Sequence, residues 1–304
     1  MSADKRNNKI KESMAEQMTA FLSLIFAVIL ISIIAIPQVL QALFRLIYCN
    51  RKNRKSIRGK LAIVTGAERE NELMKFISLK LADLGCNLAI VGDNIKDEKE
   101  MNFINDLKNK EVDVKYFSVS SGNLQEIGRI YQSLVTEFGN IDMLINVPKL
   151  VKNEVVSQQS ESKLTTELNN NFNSTMFSTL SIVDVMRNQK NQGHIITISP
   201  TAGLSVIPEK YPFYSAFYSF MKSIRGFVDS ARLGQKIQTT FILPCCITNG
   251  MIFSDFINKY LNFLPMTSQA VADCVVDAIL NNEALIQVPS NLTNLSRLLR
   301  KLIF

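Results

Sequence analysis

One histidine stands in the whole chain, His194, so Ser-His-Asp or Cys-His nucleophilic chemistry would rest on that residue, and a multi-histidine metal site is excluded. The five cysteines, Cys49, Cys86, Cys245, Cys246 and Cys274, include an adjacent pair but no Cys-x-x-Cys. That spacing indicates neither a disulfide framework nor a zinc ribbon and reads as reduced structural thiols of a cytosol-facing protein. No metal site is expected. A phenol and an ammonium offer more. Tyr218 and Lys222 stand four residues apart, hence on one face of a helix. A cation beside a phenol brings a pKa near 10 toward neutrality, the condition for proton transfer at ordinary pH.

Such groups act only if regular elements hold them. The chain has 304 residues, 47% apolar and 20% charged, enough for one large domain or two small ones with a packed core. Short apolar runs predict strands at Leu61–Thr65, Asn87–Gly92, Val112–Ser118, Ile141–Asn146, His194–Ser199, Ile237–Leu243 and Leu285–Val288. Helical spacing predicts helices between them at Asn71–Leu84, Lys96–Lys108, Leu124–Phe138, Ser162–Arg187, Phe213–Leu233 and Ser268–Asn281. Strands separated by helices of this length imply an α/β doubly wound parallel sheet, Rossmann-like, whose ligands bind beyond the strands' carboxyl ends.

The net charge of +7 is local. Residues 45–60 hold Arg45, Arg51, Lys52, Arg54, Lys55, Arg58 and Lys60 without an acid, whereas residues 61–304 carry −1. A near-neutral body removes nucleic acid as a partner. Just upstream, 28 residues between Glu16 and Arg45 carry no charge, and Thr19–Ile36 is broken only by Thr19, Ser23 and Ser32. Eighteen residues at 1.5 Å rise span about 27 Å, close to a bilayer core. The run is too long for a signal peptide and lacks a small-x-small cleavage site. The expected organisation is a polar tail (1–16), a membrane anchor (17–48), a basic collar (49–60), a Rossmann-like domain (61–290) and an amphipathic C-terminal helix (291–304). Flanking bases place the domain in the cytosol, with the collar on anionic head groups. Pro37 leaves two geometries open, a transmembrane span or a bent hairpin in one leaflet, and the second suits a lipid-droplet monolayer. In the C-terminal segment Leu292, Leu295, Leu298, Leu299, Leu302 and Ile303 form one stripe, with Arg297, Arg300 and Lys301 off it, the pattern of an interfacial helix.

Over residues 59–290 the order of motifs resembles the short-chain dehydrogenase/reductase superfamily. The anchor and collar, with GHIITISPTAGL from Gly193 and PCCITNGM from Pro244, are most similar to the membrane-bound branch of 17β-hydroxysteroid and epidermal retinol dehydrogenases. The resemblance implies hydride transfer between NAD or NADP and a lipid alcohol or ketone, at the reticulum membrane or a lipid droplet. The family's TGxxxGxG loop reads here Thr65-Gly66-Ala67-Glu68-Arg69-Glu70-Asn71-Glu72, so acids replace its last two glycines. At a phosphate-binding helix terminus a carboxylate repels the ligand, by about 3 kcal/mol at 5 Å and an effective dielectric near 20. The resemblance further assigns Asp93 to the adenine ribose, favouring NAD, Asn146 to the NNAG segment that continues Val147-Pro148-Lys149, and Asn249 to the carboxamide.

The family's catalytic set is Asn, Ser, Tyr and Lys. Asn171, within Asn169-Asn170-Asn171, falls at the position that supports a water relay. The serine position is Pro200, and Ser199 or Thr201 substitutes only if the strand end is re-aimed. Tyr214 followed by Tyr218 mimics the family's small residues, whereas Tyr218 with Lys222 preserves acid/base and cation. Two functions follow. One is a pseudoenzyme that keeps the fold to bind a lipid or protein partner. The other is an active oxidoreductase using Tyr218, Lys222, Asn171 and Ser199. Losses at three separate elements around one crevice, with intact hydrophobic strands, favour the first.

Overall fold

Each strand of the sheet must be apolar on both faces, because helices cover both. The computed structural model, which describes residue 18 and residues 54–67, 71–92, 98–119, 123–148, 160–199, 212–230, 237–244 and 266–288, has this arrangement. Strand β1 (Leu61–Ala67) turns Ala62 and Val64 to one side and Leu61 and Ile63 to the other, all buried. Helix α1 (Glu72–Asp83) follows, then β2 (Asn87–Gly92), α2 (Glu98–Lys108), β3 (Val114–Ser118), α3 (Leu124–Phe138) and β4 (Met143–Asn146). The second half comprises α4 (Glu161–Glu167), a π-helical segment (Leu168–Asn173), α5 (Ser174–Asn188) and β5 (Gly193–Ile198). After these come α6 (Pro212–Ser230), β6 (Ile237–Pro244), α7 (Ser268–Asn281) and β7 (Leu285–Val288).

The seven strands run in the order β3-β2-β1-β4-β5-β6-β7 and every neighbouring pair is parallel. The order reverses between β1 and β4, where Thr65 pairs with Asn146 at the carboxyl ends. Connections leave the two strands in opposite directions there, so a crevice opens at that point. On one face Leu73, Ile77 and Leu81 of α1 and Val271, Val275 and Ile279 of α7 join one core with Ala62, Val64, Ile196 and Ile242. On the other, Ile127 and Leu134 of α3, Ile182 and Met186 of α5 and Val228 of α6 meet Ile63, Leu144 and Ile195. The doubly wound expectation is met.

One expected element differs. The helix predicted over Ser162–Arg187 is interrupted by the π segment, whose sequence is Leu168-Asn169-Asn170-Asn171-Phe172-Asn173. Asparagine has low helix propensity because its amide competes for local hydrogen bonds, and Asn173 Nδ2 donates to Asn169 Oδ1 at 2.8 Å.

Upstream of β1, residues 54–60 lie as a strap across the amino-terminal end of the sheet. Ile57 is buried in the α1/α7 core, and the Lys55 amide donates to Leu280 O at the end of α7. Arg54 pairs with Asp277 at 3.3 Å, and Lys60 with Asp142 at 2.9 Å. Those two bases of the collar are thus held by the domain's own acids, and Arg58 is the exposed base between them. The chain divides into Met1–Asn53 and Arg54–Phe304, and every element above belongs to the second unit. Among the described residues no helix is long and apolar enough to cross a membrane. The expected anchor (17–48, apart from Met18), the collar residues 49–53 and the C-terminal helix (291–304) lie outside the described residues.

Candidate functional site

The crevice floor is made by the turn that carries the chain from β1 into α1. Gly66 has φ +88°, and a Cβ there would stand 1.9 Å from the Val147 carbonyl oxygen. Only glycine allows that left-handed turn to lie against the end of β4. The register of β1 with β2 shifts between Thr65 and Ala67, which is the bulge that turns the chain.

Asn71 then closes the turn. Its Oδ1 accepts the Met74 amide at 3.2 Å, capping α1, and its Nδ2 donates to Gly66 O at 2.9 Å and to Val147 O at 3.1 Å. A single buried amide therefore ties β1, β4 and α1 together. Glu72, the first helical residue, is exposed, and a carboxylate oxygen accepts from Ser268 Oγ of α7 at 3.4 Å. An acid in the first turn also meets the positive end of the helix dipole. This terminus thus holds an internal amide oxygen and a carboxylate, where a bound pyrophosphate would need free donors and no competing charge.

Thr65 and Asn146 face inward. The Thr65 hydroxyl donates to Asn146 Oδ1 at 3.2 Å, and Asn146 Nδ2 donates to Thr179 Oγ1 at 3.0 Å and Thr197 Oγ1 at 3.3 Å. All four residues are buried. The Asn146 amide is a hub joining β1, β4, β5 and α5, with both donors and its oxygen occupied. Pro148, two residues on, is buried as well.

Ser199 closes the carboxyl end of β5. Its amide donates to Ile242 O at 2.9 Å, while its hydroxyl, buried at 1% exposure, finds no hydrogen-bond partner among the described residues. An orphaned buried hydroxyl costs about 1–3 kcal/mol, so it is an uncompensated polar group at the crevice wall. Tyr218 is half-buried on α6 and Lys222 is exposed one turn later, its ammonium 5.9 Å from the Tyr218 ring centroid. The two share one helix face, as their spacing requires, in a cation–π relation. The same helix buries Phe217 and Met221, and Phe172 of the π segment meets Phe217 at 6.1 Å and Phe220 at 5.5 Å. The π segment, which holds Asn171, thus packs on the helix that carries Tyr218 and Lys222, and π segments recur at functional sites.

Asp93 and Asn249 lie outside the described residues, as do Glu68, Arg69, Glu70, Lys149, Pro200 and Thr201. Sequence reasoning missed the Asn71 bridge. An asparagine before a helical run signals a cap, but its two carbonyl acceptors come from segments 5 and 76 residues away. The π segment was missed too, although its clustered asparagines were a usable signal.

A short chain dehydrogenase family model matches residues 60–254. Short-chain dehydrogenase/reductase family 16C member 6 of Bos taurus is 28% identical over 244 residues, 78% of this chain and 75% of that protein. Human 17-beta-hydroxysteroid dehydrogenase 13 is 22% identical over 280 residues, 91% of this chain and 90% of that protein. Among solved structures, a Burkholderia cenocepacia short chain dehydrogenase in complex with NADP superimposes with a TM-score of 0.64 at 16% identity, covering 77% of this chain and 97% of that one. A Mycobacterium ulcerans short-chain type dehydrogenase/reductase gives 0.65 at 16% identity, covering 78% and 91%.

Proposed function

The chain belongs to the short-chain dehydrogenase family, and from that premise we propose that it is a membrane-anchored member with an impaired dinucleotide site, retained to bind a lipid or protein partner. The observation that carries this reading is the amino end of α1, where Asn71 takes the Met74 amide and Glu72 supplies a negative charge. Asn146 supports it, because its amide is consumed by three buried hydroxyls. The uncharged run 17–44 and the amphipathic tail support residence at the reticulum membrane or a lipid droplet, with the domain facing the cytosol.

A second reading has its own support. Ser199 offers an unpartnered hydroxyl, and Tyr218 with Lys222 retains a phenol and a cation on one helix face. Under this reading the protein is an NAD(P)-dependent oxidoreductase of a lipid alcohol or ketone. The name of the human relative, a hydroxysteroid dehydrogenase, points to the steroid class. When bound, the nicotinamide would supply or accept the hydride. Tyr218 would exchange a proton with the substrate oxygen, and Lys222 would place a cation one turn away on the same helix face.

Titration of the detergent-solubilised full chain with NADH and NADPH separates the two. The first reading expects no detectable binding near millimolar nucleotide, with measurable affinity returning in the Glu70→Gly, Glu72→Gly, Pro200→Ser triple variant. Micromolar binding by the unaltered chain overturns it and establishes the second reading.

A further inference from the structure

At the end of the sheet opposite the crevice, the single histidine is buried beneath the strap. His194, on β5, is 3% exposed. Lys55 Nζ lies 2.6 Å from its Nδ1, and Thr240 Oγ1 of β6 lies 2.7 Å from its Nε2. The Thr240 hydroxyl donates to the Glu283 carbonyl, so it accepts from His194 Nε2–H. Nδ1 is then the unprotonated nitrogen, and its lone pair accepts from the Lys55 ammonium. A second proton on the ring would set donor against donor and cation against cation at that contact. Among the described residues Nδ1 has no acceptor to turn to.

The surrounding groups do not relieve such a clash. Asp142, just before β4, accepts the His194 amide through its carbonyl, but its carboxylate is held by Lys60 Nζ at 2.9 Å and the Leu61 amide at 3.0 Å. Cys86, from the segment before β2, stays a neutral thiol because burial pushes it up to about 12. Asp277 of α7 is paired with Arg54, and Glu283 presents its backbone carbonyl to Thr240. On β6, Gln238 is the register partner of His194 and is uncharged. Burial lowers Lys55 to about 8, so it is an ammonium throughout the acid range. Burial first, and that ammonium second, hold the covered imidazole down to about 3.

Of the elements that meet at His194, the strap is the least firmly held. Strand β5 lies inside the sheet between β4 and β6. The strap is joined by the Lys55 amide to Leu280 O, the Gly59 amide to Gly85 O, the buried Ile57 and two ion pairs. Of those pairs Arg54–Asp277 is exposed and contributes little in water. We infer that residues 54–60 form an acid-released clasp, which opens when His194 takes a proton at Nδ1. Opening uncovers the imidazole, which then binds protons as an ordinary histidine. The closed form is therefore fully favoured above pH 6.5, and each pH unit below that shifts the balance toward the open form by up to about tenfold. The released strap adds seven residues to the tether before β1, up to about 24 Å of reach. The clasp shares no residue with the crevice, so its test is independent of cofactor binding.

The test is amide hydrogen exchange of the full chain in detergent at about pH 6.5 and about pH 4.5, each rate divided by its intrinsic value. The Lys55, Gly59 and Lys60 amides are expected to be less protected than those of β1 and β4 at both pH values. Their protection should fall about fifty-fold between the two, the ratio for a group that titrates at 6.5 when open and near 3 when closed. In His194→Gln, whose amide offers Thr240 an N–H and Lys55 an oxygen, most of that fall should disappear. Strap protection that stays flat, or that equals the protection of β1 and β4, overturns the inference, as does an undiminished fall in the folded variant. If the variant does not fold, the imidazole resonance of the single histidine decides the matter in the unaltered chain. A midpoint near the ordinary 6.5 overturns the clasp, and a midpoint below about 5 supports it.

Discussion

At the scale of single residues, His194 shows how burial sets chemistry. Burial first, and the neighbouring Lys55 second, hold its imidazole down to about 3, against 6.5 in an unfolded chain. Between those values the unfolded state takes a proton that the folded state refuses, so stability is fully present above pH 6.5 and declines as pH falls toward 3. One proton corresponds to a slope approaching 1.4 kcal/mol per pH unit. Urea unfolding at pH 6.5 and 4.5 should therefore show the unaltered chain losing about 2 kcal/mol more than a His194→Gln variant. Equal losses in the two proteins would mean that the histidine titrates normally. Lys55 does not enter this comparison, because its titration lies at higher pH.

At the scale of elements, the amino end of α1 is the decisive piece. Asn71 supplies one helix cap and two bridges to buried carbonyls, and these contributions separate by substitution. Asn71→Ala removes all three and should cost about 3 kcal/mol in chemical denaturation, a lost cap plus stranded carbonyls. Asn71→Asp keeps the capping oxygen and loses the two donations, so its cost should fall between those of Ala and the unaltered chain. If Asp proves as damaging as Ala, capping contributes nothing and the bridge alone holds the turn. The interruption of the α4–α5 helix belongs to the same scale. Clustered asparagines weaken the regular helix, and packing of Phe172 on α6 stabilises the wider turn.

For the whole molecule, the strap makes the boundary of the folded unit testable. The unit begins at Arg54, and Ile57 and the Lys60–Asp142 pair lie within it. A chain starting at residue 54 should keep its urea midpoint, whereas one starting at Leu61 should lose about 3 kcal/mol, chiefly from the vacated Ile57 site. A Leu61 start as stable as the longer chain would show that the strap is dispensable. Much of this was legible beforehand. The strands 87–92 and 285–288 and the helices 124–138 and 268–281 fall at their predicted bounds, because two-sided apolar runs and helical spacing are local signals. The family motifs were legible too, since glycine at 66 and the flanking strands are short-range patterns. What proximity in the chain could not disclose was where polar groups spend their hydrogen bonds. Thr65 and Asn146 are 81 residues apart, and Lys55 and His194 139 apart. By itself the sequence determined the order of elements and the type of residue at each motif position. Only the tertiary structure decided that Asn146 is turned into the core, that Asn71 closes the crevice floor and that the lone histidine faces a lysine. Hydrogen-bond partners in a parallel sheet are brought together by strand order, which spacing along the chain does not encode.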